Sequence, residues 1–406
     1  MKKKMESLFT FLVVLLPFLY QYKSPVSSIS FGEFVLVPLA LFFLFIDFKG
    51  TIRYLPFNGM YTYFGIALLM TLFAAIQPHF SFSSFITVFL RIIYYSILIY
   101  VAYQHFNIDY ALKIAINLAI LFSLYALLQF TVHRFSGIIL PTVINKAWVF
   151  EAEAGLRLDY ESYYRWTYRS SSLFLEPSYF AAFCSVGLSS SLFSLEENKN
   201  NFFKSLIISL GIVVSTSSAG LVILIINWFA YFYKMYFKSK RRITYKALLI
   251  TITFVGFAIY VFSSSLAETL LARTATGGSF GQRVMRGFII SEHMNFQQKL
   301  IGVGINNLGD FVKYNGIITK YDEGPSMLNY ASSMIGTYIC SGIITLLFYL
   351  RFYIKSWFKK NNDVLSRVLI LTLFFLSMIE MNSYTYRFAY FVIFIFALQR
   401  YISLKE

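Results

Sequence analysis

The segment RSSSLFLEPSYFAAF, residues 169–183, places an arginine, a run of hydroxyls and a carboxylate at the start of a long apolar stretch. Pro177 fits the first turn of a helix, where its missing amide proton costs nothing. Glu176 directly before it would lie in the cap region, where the helix dipole stabilises a carboxylate. Capping explains Glu176 about as well as a catalytic role does, and both interpretations stay open. The neighbouring hydroxyls, which could cap the helix or bind sugar, belong to Ser170, Ser171, Ser172 and Ser178.

A pair of arginines stands in the stretch TGGSFGQRVMRGFIISEHMNFQQKLIGVGINNLGDF, residues 276–311. Arg283 and Arg286 are three apart, so on a helix they would share one face, which Ile290 and His293 roughly continue. A guanidinium pair on one face suits a diphosphate, because each fork can hold two oxygens and neither charge is lost at any accessible pH. The spacing therefore favours binding of a phosphorylated ligand.

The motif GVG in the same stretch supplies Gly302 and Gly304, two residues that permit close backbone approach to a substrate. The strand-turn-helix setting of a dinucleotide fingerprint is lacking, and no P-loop sequence occurs, so ATP is not expected as the energy source. No Asp-x-Asp pair is present, and the four histidines show no ligand spacing. Neither a metal nor another cofactor is expected.

The elements that must position these residues are membrane helices. The chain of 406 residues is 58% hydrophobic and only 13% charged, and long apolar runs return along it, which predicts an all-α polytopic membrane protein. The first apolar segment lacks a small-residue cleavage site, so an uncleaved helix is expected. The predicted transmembrane helices, about twelve, lie near residues 7–22, 34–48, 57–76, 84–103, 111–132, 173–195, 202–216, 219–237, 247–264, 328–350, 364–380 and 388–403.

The distribution of lysine and arginine predicts the orientation of these helices. With Met1 in the cytoplasm, the inner connections collect most of the 35 basic residues, in clusters such as KMYFKSKRRITYK and RFYIKSWFKK. The positive-inside rule then places both termini in the cytoplasm. A net charge of +16 would also suit a nucleic-acid-binding protein, but these basic residues are short juxtamembrane flanks, so membrane lipids are the expected partners and nucleic acid is not.

Two connections break the pattern of short loops, and both fall on the outer side: residues 133–172 and 265–327. Loops of this length are usually functional or disordered, and their Tyr, Trp, Arg and Gly content argues against disorder. No internal repeat is visible, so residues 1–406 are expected to form a single integral membrane domain. Cys184 and Cys340 fall in apolar stretches, which makes a disulfide framework or a thiolate metal site improbable.

Several charged residues gather at one depth of this predicted topology. Charges in or against a bilayer are costly, and a group of them at one depth favours a functional site. For any single arginine, snorkelling to the interface or solvation in a loop is an equal explanation. The members are Arg91 in the fourth predicted span, Glu176 at the mouth of the sixth, Glu380 and Arg387 on the last outer hairpin, and Arg165, Arg169, Arg273, Arg283, Arg286 and His293 in the two long loops.

Taken together, the chain resembles the O-antigen polymerases (Wzy-type), which are related to the O-antigen ligases. The resemblance rests on roughly twelve spans, a large outer loop ending in RSSSLFLEPSYFA, a STSSAG turn opening the eighth span, and a second large outer loop running from GQRVMR to GVGINNLGDF. It covers the architecture throughout, but specific residues only around 169–183, 215–220 and 281–311. Related ligases often have an arginine after the paired serines, where this chain has Ser218, which counts against the ligase interpretation.

This resemblance implies a glycosyltransferase that uses undecaprenyl-diphosphate oligosaccharides at the outer face of a bacterial plasma membrane. It also implies a possible partner protein that regulates chain length. The family's essential loop arginines correspond to Arg169 and Arg283, with Arg286 as a near neighbour. Guanidinium groups would stabilise the diphosphate leaving group without a metal, while a sugar hydroxyl attacks the anomeric carbon. Candidates for the general base are Glu176 first, then Glu292, Glu380 and His293.

Three functions are compatible with these features. A repeat-unit polymerase making O-antigen or capsule is the leading hypothesis, and a glycan ligase using the same chemistry is the second. The third, from another class, is a flippase or other transporter of lipid-linked oligosaccharides, which would also need many spans and intramembrane charges. A transporter would not need two large outer loops, and its charges should spread through the midplane.

Overall fold

A computed structural model describes residues 2–51, 59–150, 168–193, 200–235, 281–319, 321, 329–360, 362–380 and 383–405. Within these residues the protein is helical, which confirms the predicted all-α class. A 3-10 turn covers Lys146–Trp148 and a π-helical turn covers Gly281–Met285. The helices are α1 (Lys2–Leu19), α2 (Phe31–Thr51), α3 (Gly59–Ala74), α4 (Phe82–His105), α5 (Ile108–Ser136), α6 (Pro177–Phe193), α7 (Asn200–Val214), α8 (Ser218–Tyr233), α9 (Arg286–Glu292), α10 (Phe296–Ile301), α11 (Leu308–Tyr314), α12 (Ser333–Trp357), α13 (Val364–Ile379) and α14 (Tyr386–Ser403).

The apolar helices follow the hydropathy of the sequence. α1 to α8 fall on the first eight predicted spans, and α12 to α14 fall on the last three, while the ninth, 247–264, lies outside the described residues. By length and composition α4, α5 and α12 can cross a membrane, and α3, α7, α8 and α13 are shorter apolar helices. These apolar helices support the prediction that this is a membrane protein. The count of twelve spans and the sidedness of the loops stay predictions.

Capping residues set the helix ends. Asn107 accepts a hydrogen bond from the Tyr110 amide at 3.1 Å and begins α5, and Gly137 ends it with a left-handed φ of 69°. In the STSSAG turn, Ser217 accepts from the Gly220 amide at 3.3 Å and begins α8. The same turn therefore separates α7 from α8 as two helices.

α6 forms the centre of the bundle. The residues of this helix are almost all buried, and it packs against α5, α7, α8 and α13. Close approach depends on small residues: a side chain at Gly187 would run into Ala119 and the Ala115 carbonyl. Helices in membranes pack closely through such small residues, because lipid supplies no hydrophobic force to drive them together. The segment that carries Glu176 thus leads directly into a helix that is buried almost throughout.

The helix ends gather at two opposite ends of the bundle. At one end, the site end, the Gln77 side chain after α3 donates to the Gly302 carbonyl at 2.9 Å, and the Ser84 hydroxyl of α4 donates to Asp310 at 3.0 Å. At the opposite end, His105 closes α4 between the carboxylates of Glu6 and Asp47. The described segments of both predicted outer loops lie at the site end.

α12 is interrupted within the predicted span 328–350. Gly342 leaves helical geometry with φ 78° and ψ 173°, and the chain after α10 fills the opening. The amides of Val303 and Gly304 donate to the carbonyls of Ile339 and Cys340 at 2.9 and 2.8 Å, which replaces helical partners lost at the break. The second loop therefore inserts into the bundle instead of lying over it.

Candidate active site

Two arginines converge on one glutamate at the site end. Arg283, in the π-helical turn, forms an ion pair through Nη1 with Oε1 of Glu380, the residue that ends α13. Arg387, in the first turn of α14, places Nη1 3.7 Å from Oε2 of the same carboxylate. Arg283 and Glu380 are 6% and 5% exposed. Charges this deeply buried are tolerated only when they are paired.

The start of α12 fixes the main chain on both sides of this ion pair. The Ser332 amide donates to the Arg283 carbonyl at 2.8 Å, and the Ser333 amide donates to the Glu380 carbonyl at 2.9 Å. The Ser333 hydroxyl also donates to the Glu380 carbonyl at 3.0 Å and accepts from the Ser383 amide at 2.9 Å. Because these contacts involve main-chain groups, they persist when the ionic side chains are substituted.

Aromatic rings bound the cluster. The guanidinium carbon of Arg283 lies 4.9 Å from the centre of the Tyr330 ring, and that of Arg387 lies 4.3 Å from the Tyr179 ring and 5.8 Å from the Tyr386 ring. Such contacts hold a cation in place and exclude water from it. Tyr179 belongs to α6, so this ring brings the start of α6 to the ion pair.

Glu176 contributes a second negative charge. Its carboxylate accepts a hydrogen bond from the Ser178 hydroxyl at 2.8 Å, and its carbonyl accepts from the Phe180 amide as α6 begins. Its charge also interacts with both Arg283 and Arg387. Burial alone would lower the pKa of the Arg283 guanidinium, but Glu380, and then Tyr330 and Glu176, raise it above its ordinary value. Arg283 is therefore permanently charged.

Arg286 begins α9, three residues after Arg283 of the π-helical turn, and both arginines contact Tyr330. The Arg286 side chain is 1% exposed, and its Nη1 donates to the Tyr330 carbonyl at 3.2 Å. Ile290 is buried on the same face, but His293 is exposed and its Nδ1 contacts the Ile289 carbonyl at 3.0 Å. α9 ends at Glu292, and His293 is its C-cap residue. That His293 belongs to the site stays a prediction.

Arg169 connects the first loop to the STSSAG turn. Its Nε donates to the Thr216 hydroxyl at 3.3 Å and its Nη2 donates to the Thr216 carbonyl at 3.1 Å. Thr216 has a φ of +47°, a strained value for a β-branched residue, so the turn is held in an unusual conformation at this contact. The contact joins two of the motifs on which the resemblance rests. Glu176, on the same segment as Arg169, is the group whose charge interacts with Arg283.

The remaining predicted residues fall elsewhere. Gly302 and Gly304 have φ values of +85° and +100°, and a side chain at Gly302 would run into the Cys340 main chain. The close approach that Gly302 permits is thus made to α12, whereas a side chain at Gly304 would run into the Phe80 ring. Arg91 is half-buried within α4, and its role in substrate binding stays a prediction. Arg165 and Arg273 lie outside the described residues.

Sequence reasoning missed three residues of the cluster: Tyr179, Tyr330 and Ser333. Tyr179 follows Glu176 by three positions at the start of a helix, so the spacing in EPSY carried a usable signal. Tyr330 and Ser333 precede and begin α12 without any local pattern that connects them to Arg283 or Glu380. Their part in the site depends on how distant helices pack.

The chemistry open to this cluster is the binding of an anion. Nε of Arg283 is buried and has no hydrogen-bond partner among the described residues, so one donor of this fork is unsatisfied. A charge-assisted bond in a dry site is stronger than one in water. Within the described residues no group of His, Cys, Asp or Glu is arranged to hold a metal ion.

No protein-family model matches the sequence, and no curated protein sequence matches it either. The geometry of the cluster is therefore the basis for assigning a function.

Proposed function

We propose that the protein is a polysaccharide polymerase that joins undecaprenyl-diphosphate-linked oligosaccharide repeat units at the outer face of a bacterial plasma membrane, producing O-antigen or capsule. The observation that carries the proposal is the convergence of Arg283 and Arg387 on Glu380, within electrostatic reach of Glu176. The cluster combines fixed cations for a diphosphate with a carboxylate for an attacking hydroxyl.

The reaction breaks one bond and forms another. The oxygen of a sugar hydroxyl on the incoming repeat unit attacks the anomeric carbon of the growing chain, and the bond from that carbon to the diphosphate oxygen breaks. The hydroxyl proton passes to a carboxylate, and the lipid diphosphate leaves as an anion. Arg283, through its buried Nε and the rest of its fork, stabilises the charge that develops on the leaving oxygen.

The two carboxylates have different parts in this scheme. Glu380 already holds two guanidinium groups, so it acts as a positioning residue that keeps the cations together. Glu176 stands at the start of α6, where its carboxylate accepts a hydrogen bond from the Ser178 hydroxyl. This makes Glu176 the first candidate for the base. Its place at the edge of the cluster leaves it near both the cations and an acceptor sugar.

The position of the cluster favours an enzyme over a transporter. Glu176, Glu380 and Arg387 lie where α6, α13 and α14 begin or end, and not midway along those helices. Arg283 lies in the π-helical turn that precedes α9. A transport pathway would place charges near the middle of the membrane. The STSSAG turn has Ser218 where related ligases often have arginine, although Arg169 reaches the same turn from the first loop.

The decisive experiment is complementation of a deletion strain with Arg283→Ala and Arg283→Lys. We expect single-repeat glycans at the outer face and loss of the polymer ladder in both variants, because lysine restores the charge without the planar fork. Arg351→Gln, at an exposed arginine far along α12, is the control and should keep the full ladder. A full ladder in Arg283→Ala at normal protein levels would disprove the proposal.

A double variant separates chemistry from folding. Arg283→Gln with Glu380→Gln removes one charge of each sign, so the net charge of the cluster is unchanged. Arg387 keeps its interaction with Glu176, and the main-chain contacts through Ser332 and Ser333 remain. We expect this protein to accumulate normally and to make no polymer. Lipid-linked repeat units trapped on the cytoplasmic side in these strains would instead support a flippase.

A further inference from the structure

A cavity of about 190 Å³ lies at the opposite end of the bundle from the arginine cluster. One wall is the connection between α4 and α5, including Phe106 and Asp109, and the other is the end of α14, including Ala397, Arg400 and Leu404. No part of the proposed polymerase mechanism uses these residues. The cavity is therefore a separate feature that needs its own explanation.

The depth of this cavity in a membrane follows from the helices beside it. α4 and α5 are both long and apolar enough to cross a bilayer, and only Phe106 and Asn107 connect them. A connection this short between two spanning helices must lie at the membrane surface. The cavity therefore opens at the level of lipid headgroups.

Arg400 is held in a fixed position in the wall of the cavity. Its Nη1 donates to the carbonyls of Tyr103 and Gln104 in the last turn of α4, and its guanidinium carbon lies 5.4 Å from the Tyr103 ring. No contact within the described part of the chain uses the donors on Nε and Nη2 of Arg400. A guanidinium fixed on one edge and open on another is ready to bind phosphate oxygens.

The charge around the cavity is positive on balance. Lys405 lies over the Tyr401 ring at 4.3 Å, and its charge interacts with that of Asp109. Arg400 and Lys405 together outweigh Asp109, the one carboxylate in the wall. Basic pockets between transmembrane helices are typical binding sites for anionic lipid headgroups.

The rest of the lining matches a lipid better than a free ion. Pockets that enclose a drug-sized molecule measure roughly 300–1,000 Å³, so this cavity takes a phosphate and the glycerol next to it. Leu404 is 75% exposed beside the opening, and it offers an apolar surface along which an acyl chain can lie. Inorganic phosphate would gain nothing from that surface.

We propose that this cavity binds the phosphate and glycerol of an anionic phospholipid, with Arg400 as the phosphate ligand. The test uses the full-length protein in nanodiscs of phosphatidylcholine, with or without phosphatidylglycerol. Lipid retained by the protein is measured by native mass spectrometry, and thermal stability is measured in parallel. We expect phosphatidylglycerol to be retained in preference to phosphatidylcholine and to raise the melting temperature.

Two variants and one control make the test specific. Arg400→Gln removes the phosphate ligand, and Ala397→Leu fills the cavity while the contacts of Arg400 with α4 remain. Both should weaken retention of phosphatidylglycerol by about tenfold or more, since a hydrogen bond to a charged group is lost or blocked. Arg351→Gln, at an exposed arginine of the same end outside the cavity, should retain the lipid as the parent protein does.

Three results would overturn the lipid site. They are unchanged retention in both variants, equal retention of phosphatidylcholine, and stabilisation by inorganic phosphate equal to that by phosphatidylglycerol. The last result would identify a site for free phosphate. Because no glycan substrate is used, none of these results depends on the proposed polymerase activity.

Discussion

At the scale of single residues, the shared glutamate governs the chemistry that the arginines can perform. Glu380 holds Arg283 and Arg387 from opposite oxygens, so each guanidinium keeps only part of its donor set for a substrate. A diphosphate that enters the cluster must compete with this carboxylate. In the proposed polymerase, Glu380 would therefore limit the affinity for the leaving group and favour its release after each transfer.

Removing the charge of Glu380 should destabilise the protein. Glu380→Gln leaves Arg283 and Arg387 buried with their shared carboxylate gone, and loss of one partner from a buried ion pair costs about 3–5 kcal/mol. The free energy of unfolding is measured by SDS titration in mixed micelles. Glu292→Gln, at an exposed carboxylate at the end of α9, is the control and should match the parent protein. A Glu380→Gln protein as stable as the control would show that the ion pair does not stabilise the fold.

Glu176→Gln should separate catalysis from folding. The amide can still accept from the Ser178 hydroxyl, so we expect the free energy of unfolding to fall by less than about 1 kcal/mol. Polymer length should nevertheless collapse toward single repeats, because an amide cannot take the proton of the attacking hydroxyl. Gel analysis of surface glycan gives the length distribution. A full-length distribution would remove Glu176 from the mechanism.

At the scale of elements, the interrupted helix α12 determines how the second loop meets the bundle. The break at Gly342 leaves the carbonyls of Ile339 and Cys340 without helical hydrogen-bond donors. The amides of Val303 and Gly304 supply the donors instead. His79, in the connection between α3 and α4, contacts the Val303 carbonyl at 3.2 Å and the Phe311 ring at 5.1 Å. The loop thus depends on contacts from two sides, and both can be tested.

Gly302, on the segment that docks at the break in α12, should not tolerate a side chain. Gly302→Ala places a methyl group against the Cys340 main chain at a φ of +85°, and backbone strain together with this clash should cost at least about 2 kcal/mol. The matched control is Gly65→Ala, since Gly65 lies in α3 with no atom within 4 Å of the added carbon. That change should be neutral or stabilise by up to about 1 kcal/mol. Equal SDS-unfolding midpoints for the two variants would contradict this account of the docking.

His79 should make the loop sensitive to acid. Burial lowers the pKa of this imidazole, and the hydrogen bond to the Val303 carbonyl raises it only in part. The unfolded state then binds the proton more readily, so the contribution of His79 is present above about pH 6.5 and declines as the pH falls through that value. We expect the melting temperature of the parent protein to drop more between pH 7.5 and 5.5 than that of His79→Gln. The difference should be no larger than the protonation of one histidine can produce. Identical pH profiles would show that His79 titrates alike in both states.

How far these features were predictable depends on the range of the interactions behind them. The helix α5 follows from its own apolar run, with Asn107 and Gly137 marking its ends, because capping is decided within a few residues. The break at Gly342 is invisible in the sequence, since it depends on a loop that docks from elsewhere. Arg283 and Glu380 each stood out as charges near a membrane, but their pairing depends on how α9, α12 and α13 pack, which no local pattern encodes.

At the scale of the whole molecule, the two opposite ends of the bundle carry different chemical groups. One carries the arginine–glutamate cluster and both described loop segments, and the other carries the His105 contacts and the cavity beside Arg400. The positive-inside rule predicts that the first end faces outward. A sugar-transferring site and a headgroup site would then lie in opposite leaflets.

Cysteine labelling tests that orientation. Ile318→Cys introduces a thiol at a position that is 89% exposed at the site end, and Phe358→Cys does so at one that is 78% exposed just after α12. A membrane-impermeant maleimide added to intact spheroplasts should label the first variant, and should label the second only after permeabilisation. The parent protein is the control, since Cys184 is buried and Cys340 is half-buried. The reverse pattern of labelling would show that the protein has the opposite orientation in the membrane.

The enclosure of α6 has a consequence for how the chain is assembled during synthesis. This helix carries Ser185, Ser189, Ser190 and Ser191 among its buried residues, and it leaves the ribosome before α7 and α8 exist to cover it. A serine-rich segment gains little from acyl chains, so its retention in the bilayer depends on neighbours that arrive later. We therefore expect stable insertion of α6 to require translation of α7 and α8, and a nascent chain cut short after α6 to be a substrate for quality-control proteases.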